Sequence, residues 1–333
     1  MKNLAIVGAT GAVGRELCTL LEQRRVRAER ITLLASSRSA GKTISVNGHE
    51  APVHELTERS FDGVDYAIFS AGGDRSKHFA PIAVRAGCVV VDNSSAFRMD
   101  PNVPLVIPEI NPDDAKNHRG ILAVPNCSTI IMAVAVWPLH RANRVTRMVV
   151  STYQAASGAG AAAMEELRTQ THMVLHGQPA VPKVFPHPIA FNLFSHNTPI
   201  GDDGYNTEER KMIQETRKIF HAPDLAITAT CIRVPVMRAH SESINLTFEH
   251  PMTPSEARDI LSHAPGLRIV DDPAANKFPM PLDATGVDEV LVGRIRQDLS
   301  QPNRRGLDLF VSGDQLRKGA ALNALQILDL LTA

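Results

Sequence analysis

A short apolar run closed by glycines limits what this chain can fold into. Leu4-Ala5-Ile6-Val7 passes at once into Gly8-Ala9-Thr10-Gly11-Ala12-Val13-Gly14-Arg15-Glu16-Leu17. An apolar run too short for a helix, a glycine turn and a helical pattern read as strand, turn and helix. Glycines suit such a turn because the chain reverses tightly, a diphosphate can approach the N–H groups at the helix N-terminus, and the helix packs close on the strand. The spacing is GxxGxxG and not the commoner GxGxxG, so a ligand-free structural turn stays open as the plainer reading.

The first third of the chain continues in that style. Strands are expected at Ile31–Ala35, Tyr66–Ser70 and Val89–Asp92, with helices over Arg15–Arg24 and over Arg75–Ala86, the latter stopped by Gly87. That alternation predicts an α/β unit with a doubly wound parallel sheet. An unphosphorylated ribose would call for an acidic residue at the end of the second strand, but Ser36-Ser37-Arg38-Ser39 stands there. Hydroxyls beside a cation suit a 2′-phosphate, which favours NADP over NAD. A solvated loop charge is the plainer account of Arg38.

At 333 residues the chain is long enough for two domains of roughly 100–200 residues. Its 35 Lys+Arg equal its 35 Asp+Glu, so no global field draws it to nucleic acid or an anionic membrane. The mix of 44% hydrophobic and 21% charged residues is that of a folded protein. Four cysteines, at 18, 88, 127 and 231, form no CxxC pair, and we read a reducing cytoplasm; no metal is expected. Met1-Lys2-Asn3 leaves no room for a signal peptide before the first strand, so the mature chain is expected to start at Met1. Residues 120–139 carry no charged side chain, but Pro125-Asn126-Cys127-Ser128-Thr129 divides them. A strand over Ile121–Val124 and a helix from near Ser128 to about Pro138 are expected there, not a membrane span.

Beyond Cys127 the pattern changes to strands at Met148–Thr152, Ile227–Val234, Ile244–Phe248, Val290–Ile295 and Leu307–Ser312, mixed with helices over Glu165–Leu175, Glu208–Phe220 and Ser255–Ser262. This predicts a separate α+β domain. Gln178–Pro188, with four prolines, is expected to be a loop. Leu316–Leu331 aligns Leu316, Ala320, Asn323, Ala324, Ile327, Leu328 and Leu331 on one helical face, which should pack back on the first domain. The expected division is 1–127 plus 313–333 for nucleotide binding, and 128–312 for catalysis and dimerisation.

Cys127 precedes an apolar helix, where unpaired N–H groups and the helix dipole favour the reactive thiolate. Cys18 within a helix, Cys88 at a strand start and Cys231 within a strand read as small core side chains; an inert capped thiol is the plainer reading of Cys127 itself. Thr152–Gly160 leaves a strand through a turn that lets backbone approach a ligand. Arg233 and His240 lie seven apart across a strand end. Arginine offers a fork for a carboxylate and histidine moves protons near neutral pH.

These blocks together resemble the aspartate-semialdehyde dehydrogenase family. They are Gly8–Gly14, Ser94-Ser95-Ala96-Phe97-Arg98, Pro125-Asn126-Cys127-Ser128-Thr129, Gln154 with Ser157-Gly158-Ala159-Gly160, Glu208-Glu209-Arg210-Lys211, Arg233-Val234-Pro235-Val236 with His240, and Leu316-Arg317-Lys318-Gly319-Ala320-Ala321. The order holds over essentially the whole chain. Gln315, where asparagine is common, and Ala156, where a larger aliphatic residue is expected, depart from the pattern.

The resemblance implies a Rossmann-type sheet with a second α+β catalytic and dimerisation domain, and a homodimer acting on a small molecule. It implies NADPH-dependent reductive dephosphorylation of L-4-aspartyl phosphate to L-aspartate 4-semialdehyde, on the route to lysine (through diaminopimelate), threonine and methionine. Cys127 would carry a thioester, His240 would protonate and deprotonate the thiohemiacetal oxygen, and Gln154 would orient the acyl group. Arg233 would clamp the α-carboxylate and Glu208 the α-ammonium; Arg98 and Lys211 would hold phosphate, and Asn126 would touch substrate. Gly8, Thr10, Gly11, Ala12, Val13, Ser37, Arg38, Ser39, Ser157, Gly158 and Gln315 fall at cofactor positions. Glu208 and Lys211 share a helix face, and a surface ion pair is the plainer reading of those two.

N-acetyl-glutamyl-phosphate reductase shares fold and chemistry, but Gly-Cys-Tyr or Gly-Cys-Phe would be expected around its cysteine. A glyceraldehyde-type phosphorylating dehydrogenase would carry serine before the cysteine and Thr-Thr-Asn after it. A catalytically inactive paralogue acting as a binding protein would have no need to keep Cys127, Gln154, Arg233 and His240 together.

Overall fold

The computed structural model describes residues 3–26 and 28–332, so Met1 and Lys2, on which the expected N-terminal start rests, lie outside the described residues. The chain forms two units, Met1–Asn126 with Ala320–Ala333, and Cys127–Gly319.

In the first unit, β1 (Asn3–Val7), β2 (Arg30–Ala35), β3 (Thr43–Val46), β4 (His49–Glu55), β5 (Tyr66–Phe69), β6 (Val89–Asp92) and β7 (Ile121–Ala123) form one sheet in the order β3-β4-β2-β1-β5-β6-β7. All neighbours are parallel except β3 and β4. β1 sits at the centre, with Leu4 to Val7 sealed from water, as a continuous apolar run between two covered faces requires. α1 (Ala12–Gln23) buries Gly14, Leu17, Cys18, Leu20 and Leu21 on one face, and α2 (Gly73–Arg85) follows β5. Gly8 has φ +91°, and a Cβ on it would stand 2.3 Å from the Ser70 carbonyl oxygen, so this turn admits no side chain.

The β3–β4 hairpin was not expected. Its strands are half polar, as an edge requires, but its turn is Asn47-Gly48, both at positive φ, the strongest short hairpin signal a sequence offers.

The second unit opens with α3 (Cys127–Ala142), which runs through Pro138 instead of stopping there. Proline removes one backbone hydrogen bond, but Ile130 to Val136 and Leu139 are buried on both sides of it and hold the helix together for another turn. The uncharged stretch thus divides into β7 and α3, and among the described residues no helix is long and apolar enough to cross a membrane.

The second sheet holds β8 (Val145–Gln154), β9 (Phe194–Ser195), β10 (Ala226–Arg233), β11 (His240–Phe248), β12 (Leu267–Ile269), β13 (Val290–Gln297) and β14 (Gly306–Gly313), in the order β12-β13-β14-β11-β8-β10-β9. β8–β10 and β12–β13 are parallel and the other pairs antiparallel. The helices of this unit are α3, α4 (Ala161–Leu175), α5 (Thr207–Ile219), α6 (Pro254–Ser262) and α7 (Pro281–Ala284). β11 begins with His240 and Ser241 both buried and alternates from Glu242, burying Glu242, Ile244, Leu246 and Phe248, while Ser243, Asn245 and Thr247 are half-exposed.

Gln178–Pro188 is a loop, as its prolines predict. The buried carboxylate of Glu166 accepts backbone N–H groups from Lys183, Val184 and Phe185, and the buried Gln170 accepts those of Ile189 and Ala190. α4 therefore staples the loop with two side chains.

The C-terminal segment is not one uniform helix. Arg317–Ala321 is a π-helical turn, a form that gathers at functional positions, and α8 (Leu322–Thr332) follows it. α8 belongs to the first unit, where Asn323 Nδ2 donates to the Val106 carbonyl at 2.9 Å and Leu322, Leu325, Ile327 and Leu328 are buried.

Candidate active site

The second unit gathers its chemistry where strands end. Arg233 closes β10 and is paired in register with Gln154, which closes the parallel β8; His240 opens β11, beside β8 on its other side. Neighbouring strands carry these three side chains to one end of the sheet.

His240 is wholly buried, and its Nδ1 accepts the Ala155 N–H at 3.0 Å. The ring proton therefore sits on Nε2, which has no hydrogen-bond partner among the described residues. Burial first, then the charge of Arg233, holds this imidazole well below its ordinary pKa, so it is neutral at pH 7.

Arg233 is buried too. Its NH1 donates to the Ala155 carbonyl at 2.8 Å, its NH2 to His196 Nε2 at 2.7 Å, and its guanidinium carbon stands 5.5 Å from the Phe185 ring centroid. Desolvation pulls its pKa down, opposed by the negative charges of Glu208 and then Cys127. Glu208 and Cys127 thus both lie within the electrostatic reach of Arg233.

Gln154 spans the site, donating from Nε2 to Glu208 Oε1 at 3.2 Å and accepting Thr152 Oγ1–H at 3.1 Å. Glu208 pairs with Lys211 at 2.9 Å, but this is no surface pair, because the Glu208 side chain is 5% exposed.

Cys127 is the first residue of α3 and is partly exposed, whereas Cys18, Cys88 and Cys231 are buried. Burial pushes Cys18 up to about 11 and Cys88 up to about 12, and raises Cys231 as well. Gly319 lies against the nucleophile: a Cβ there would stand 3.0 Å from Cys127 Cβ and 3.3 Å from Gln315 Cβ. Gln315 in turn accepts Ala239 N–H and donates to Ser157 Oγ. Asp314, fully buried, anchors this turn by accepting Leu316 N–H and the Arg238 guanidinium.

The first unit carries the rest of the predicted residues. Gly8, Thr10, Gly11, Ser36, Ser70 and Arg75 line a cavity of about 230 Å³ at the start of α1. The N-cap of α1, Gly11, offers no side-chain cap, so the N–H groups of its first turn, which includes Ala12 and Val13, are not taken by a capping side chain. Ser37, Arg38 and Ser39 form a 3₁₀ turn; Ser39 Oγ accepts from Thr10 Oγ1 at 3.5 Å and Arg38 is exposed. The cavity thus has the glycine turn, the hydroxyls and the helix N-terminus without a side-chain cap that suit a dinucleotide. Arg98 is buried and donates to the Val124 and Asn93 carbonyls, and Asn126 is buried at the end of this unit.

Comparison with known proteins agrees with this geometry. Residues 3–118 match the semialdehyde dehydrogenase NAD-binding domain, and residues 136–318 match the semialdehyde dehydrogenase dimerisation domain. The aspartate-semialdehyde dehydrogenase of Synechocystis sp. is 56% identical over 99% of this chain and 97% of its own length. The chain belongs to the aspartate-semialdehyde dehydrogenase family. Among solved members of that family, aspartate semialdehyde dehydrogenase II of Vibrio cholerae superposes with TM-score 0.96 at 44% identity, covering 99% of this chain and 98% of that one. A second structure of the same Vibrio protein, complexed with ASA, gives TM-score 0.96 at 43% identity with the same coverage.

Two residues of this family member escaped the sequence reading. Arg75 lines the cavity at the start of α1, and only its position in the first turn of α2, two residues after Gly73, hinted at it. His196 grips Arg233 from a loop and has no sequence signal of its own.

Proposed function

We propose that this chain converts L-4-aspartyl phosphate to L-aspartate 4-semialdehyde and phosphate through a thioester on Cys127. The observation that carries the proposal is the placing of Cys127 at the first turn of α3, within the field of Arg233 and backed by Gly319. The thiolate attacks the acyl carbon and phosphate departs. Arg98 and Lys211 are read as the cations for that dianion.

Arg233 takes the α-carboxylate with the N–H groups left after it has bonded Ala155 and His196. Glu208 takes the α-ammonium. Asn126 contacts the substrate, and Gln154, already held by Glu208 and Thr152, orients the acyl oxygen. NADPH, held by the cofactor residues named below, would supply the hydride for the thioester carbon. The oxygen that becomes negative at that stage meets the Nε2–H of His240. Because Ala155 N–H occupies Nδ1, the ring is held as a hydrogen-bond donor, and collapse to aldehyde and thiolate needs no further proton. This narrows the acid/base role expected from the family resemblance to stabilisation of an oxyanion.

For the cofactor, NADP is preferred over NAD on the strength of Ser37, Arg38 and Ser39; Gly8, Thr10, Gly11, Ala12 and Val13 would cradle the diphosphate, and Ser157, Gly158 and Gln315 would face the nicotinamide. The partly exposed face of the second sheet, where the Tyr153 and Phe310 rings meet tilted at 6.2 Å between centroids, is read as the homodimer surface. A cytoplasmic setting suits the reactive thiol, and we assign nucleotide binding to 1–127 plus 313–333 and catalysis and dimerisation to 128–312.

The test is reduction of NADP, and separately of NAD, by L-aspartate 4-semialdehyde with and without inorganic phosphate. Phosphate-dependent turnover that vanishes in Cys127→Ala, with NADP binding intact, is expected. Turnover in that variant, or turnover without phosphate, would overturn the proposal.

A further inference from the structure

Arg233 is fixed by two acceptors that differ in kind. Ala155 offers a backbone carbonyl, which the β8 turn holds in place, whereas His196 offers a ring nitrogen from the segment just after β9. The ring must be neutral, with its proton on Nδ1, to accept from a guanidinium at Nε2. The rest of the network agrees. His196 Nδ1 lies 3.3 Å from Thr198 Oγ1, and that oxygen accepts the Glu208 backbone N–H at 3.2 Å and donates to Asn206 Oδ1 at 3.5 Å. Each of these contacts then pairs a donor with an acceptor, running from Arg233 NH2 through His196 and Thr198 to the helix end that carries Glu208. The backbone N–H of His196 is itself fixed on the Cys231 carbonyl at 2.8 Å. Burial lowers the His196 pKa to about 4, which keeps the ring an acceptor at neutral pH.

We infer that His196 is a positioning residue that locks the Arg233 guanidinium and ties it, through Thr198, to Glu208, so that the two charges selecting an amino acid keep a fixed separation. The inference rests on the reading of Arg233 and Glu208 as the carboxylate and ammonium sites. Without the Nε2 acceptor the guanidinium would keep one anchor, Ala155, and could turn about it. Substrate capture would suffer before chemistry.

The experiment compares the full-length enzyme with His196→Asn, His196→Gln, Arg233→Lys and the double variant His196→Asn/Arg233→Lys in the phosphate-dependent assay. Asparagine can keep the Thr198 contact but does not reach Arg233, whereas glutamine can place an oxygen near the Nε2 position. His196→Asn is expected to raise KM for L-aspartate 4-semialdehyde about tenfold or more with kcat within about threefold, the loss of a hydrogen bond to a charged group. His196→Gln should recover most of that loss, and the double variant should be little worse than Arg233→Lys alone. An unchanged KM in His196→Asn, an equal loss in both histidine variants, or full additivity with Arg233→Lys would overturn the inference. An unchanged KM in Arg233→Lys would instead overturn the carboxylate reading on which it rests.

Discussion

Gly158 lies against the ring of His240: a Cβ added to Gly158 would stand 3.0 Å from His240 Cε1 and 3.1 Å from Nε2, with Arg233 NH1 only 3.2 Å away. The backbone here is ordinary, so the position asks for glycine because of space and not because of φ. Gly158→Ala should therefore fold normally and displace the imidazole and guanidinium by a few tenths of an ångström. Turnover is expected to fall about tenfold or more, since small misplacements in an active site are expensive. Steady-state kinetics beside a thermal melt will check this; full activity would show that neither side chain needs its observed place.

The thiols differ in exposure and in surroundings. Burial keeps the Cys18, Cys88 and Cys231 thiols protonated at neutral pH, while Cys127 is partly exposed at a helix N-terminus. Iodoacetamide should label Cys127 at least about tenfold faster than the other three, with activity lost in step. Peptide mass spectrometry over a time course measures it, and labelling of Cys88 or Cys231 in the folded protein at a comparable rate would contradict the assignment.

The proposed preference for NADP can be tested at Arg38. Removing one cation beside a 2′-phosphate should lower kcat/KM for NADP about tenfold in Arg38→Ala while leaving that for NAD unchanged. If the ratio does not move, Arg38 is a solvated loop charge.

Glu242 sits on β11 opposite Thr152 and Val311, wholly buried, with neither carboxyl oxygen hydrogen-bonded. Burial raises its pKa well above the ordinary 4.5, so the folded protein keeps the proton that the unfolded chain releases. Below pH 4.5 both states hold it and the full stability is present; above that, stability is lost as pH rises toward the folded value. The slope is about 1.4 kcal/mol per pH unit while the two pKa values bracket the pH. Glu242→Gln, neutral throughout, should melt progressively higher than the native protein as pH rises above 4.5 toward the folded value. A constant difference in Tm across that range would mean that Glu242 is ionised in the fold.

How much of this could be read beforehand depended on range. The glycine turn after β1, the strand–helix alternation and the helix start at Cys127 are local patterns, and each lies where its residues predict. Pro138 misled because burial on both sides of a proline outweighs one missing hydrogen bond, which a local rule does not weigh. The β3–β4 strands were missed because their residues are half polar, although Asn47-Gly48 marked the turn. Gln154, Arg233 and His240 were visible only together, through family resemblance, since register between distant strands unites them. His196 was not visible at all: it acts on Arg233 across 37 residues, from a loop with no periodicity to read.

The first unit borrows its last helix from the far end of the chain. α8 buries Leu322, Leu325, Ile327 and Leu328 in that unit, yet it follows all of residues 127–319 in sequence. A ribosome making this protein releases the nucleotide-binding strands long before their final helix exists. Apolar surface meant for α8 must stay uncovered, or be shielded by a chaperone, while the entire second unit is synthesised. Cofactor binding to nascent chains should accordingly appear late and abruptly, once Leu322–Thr332 has left the exit tunnel.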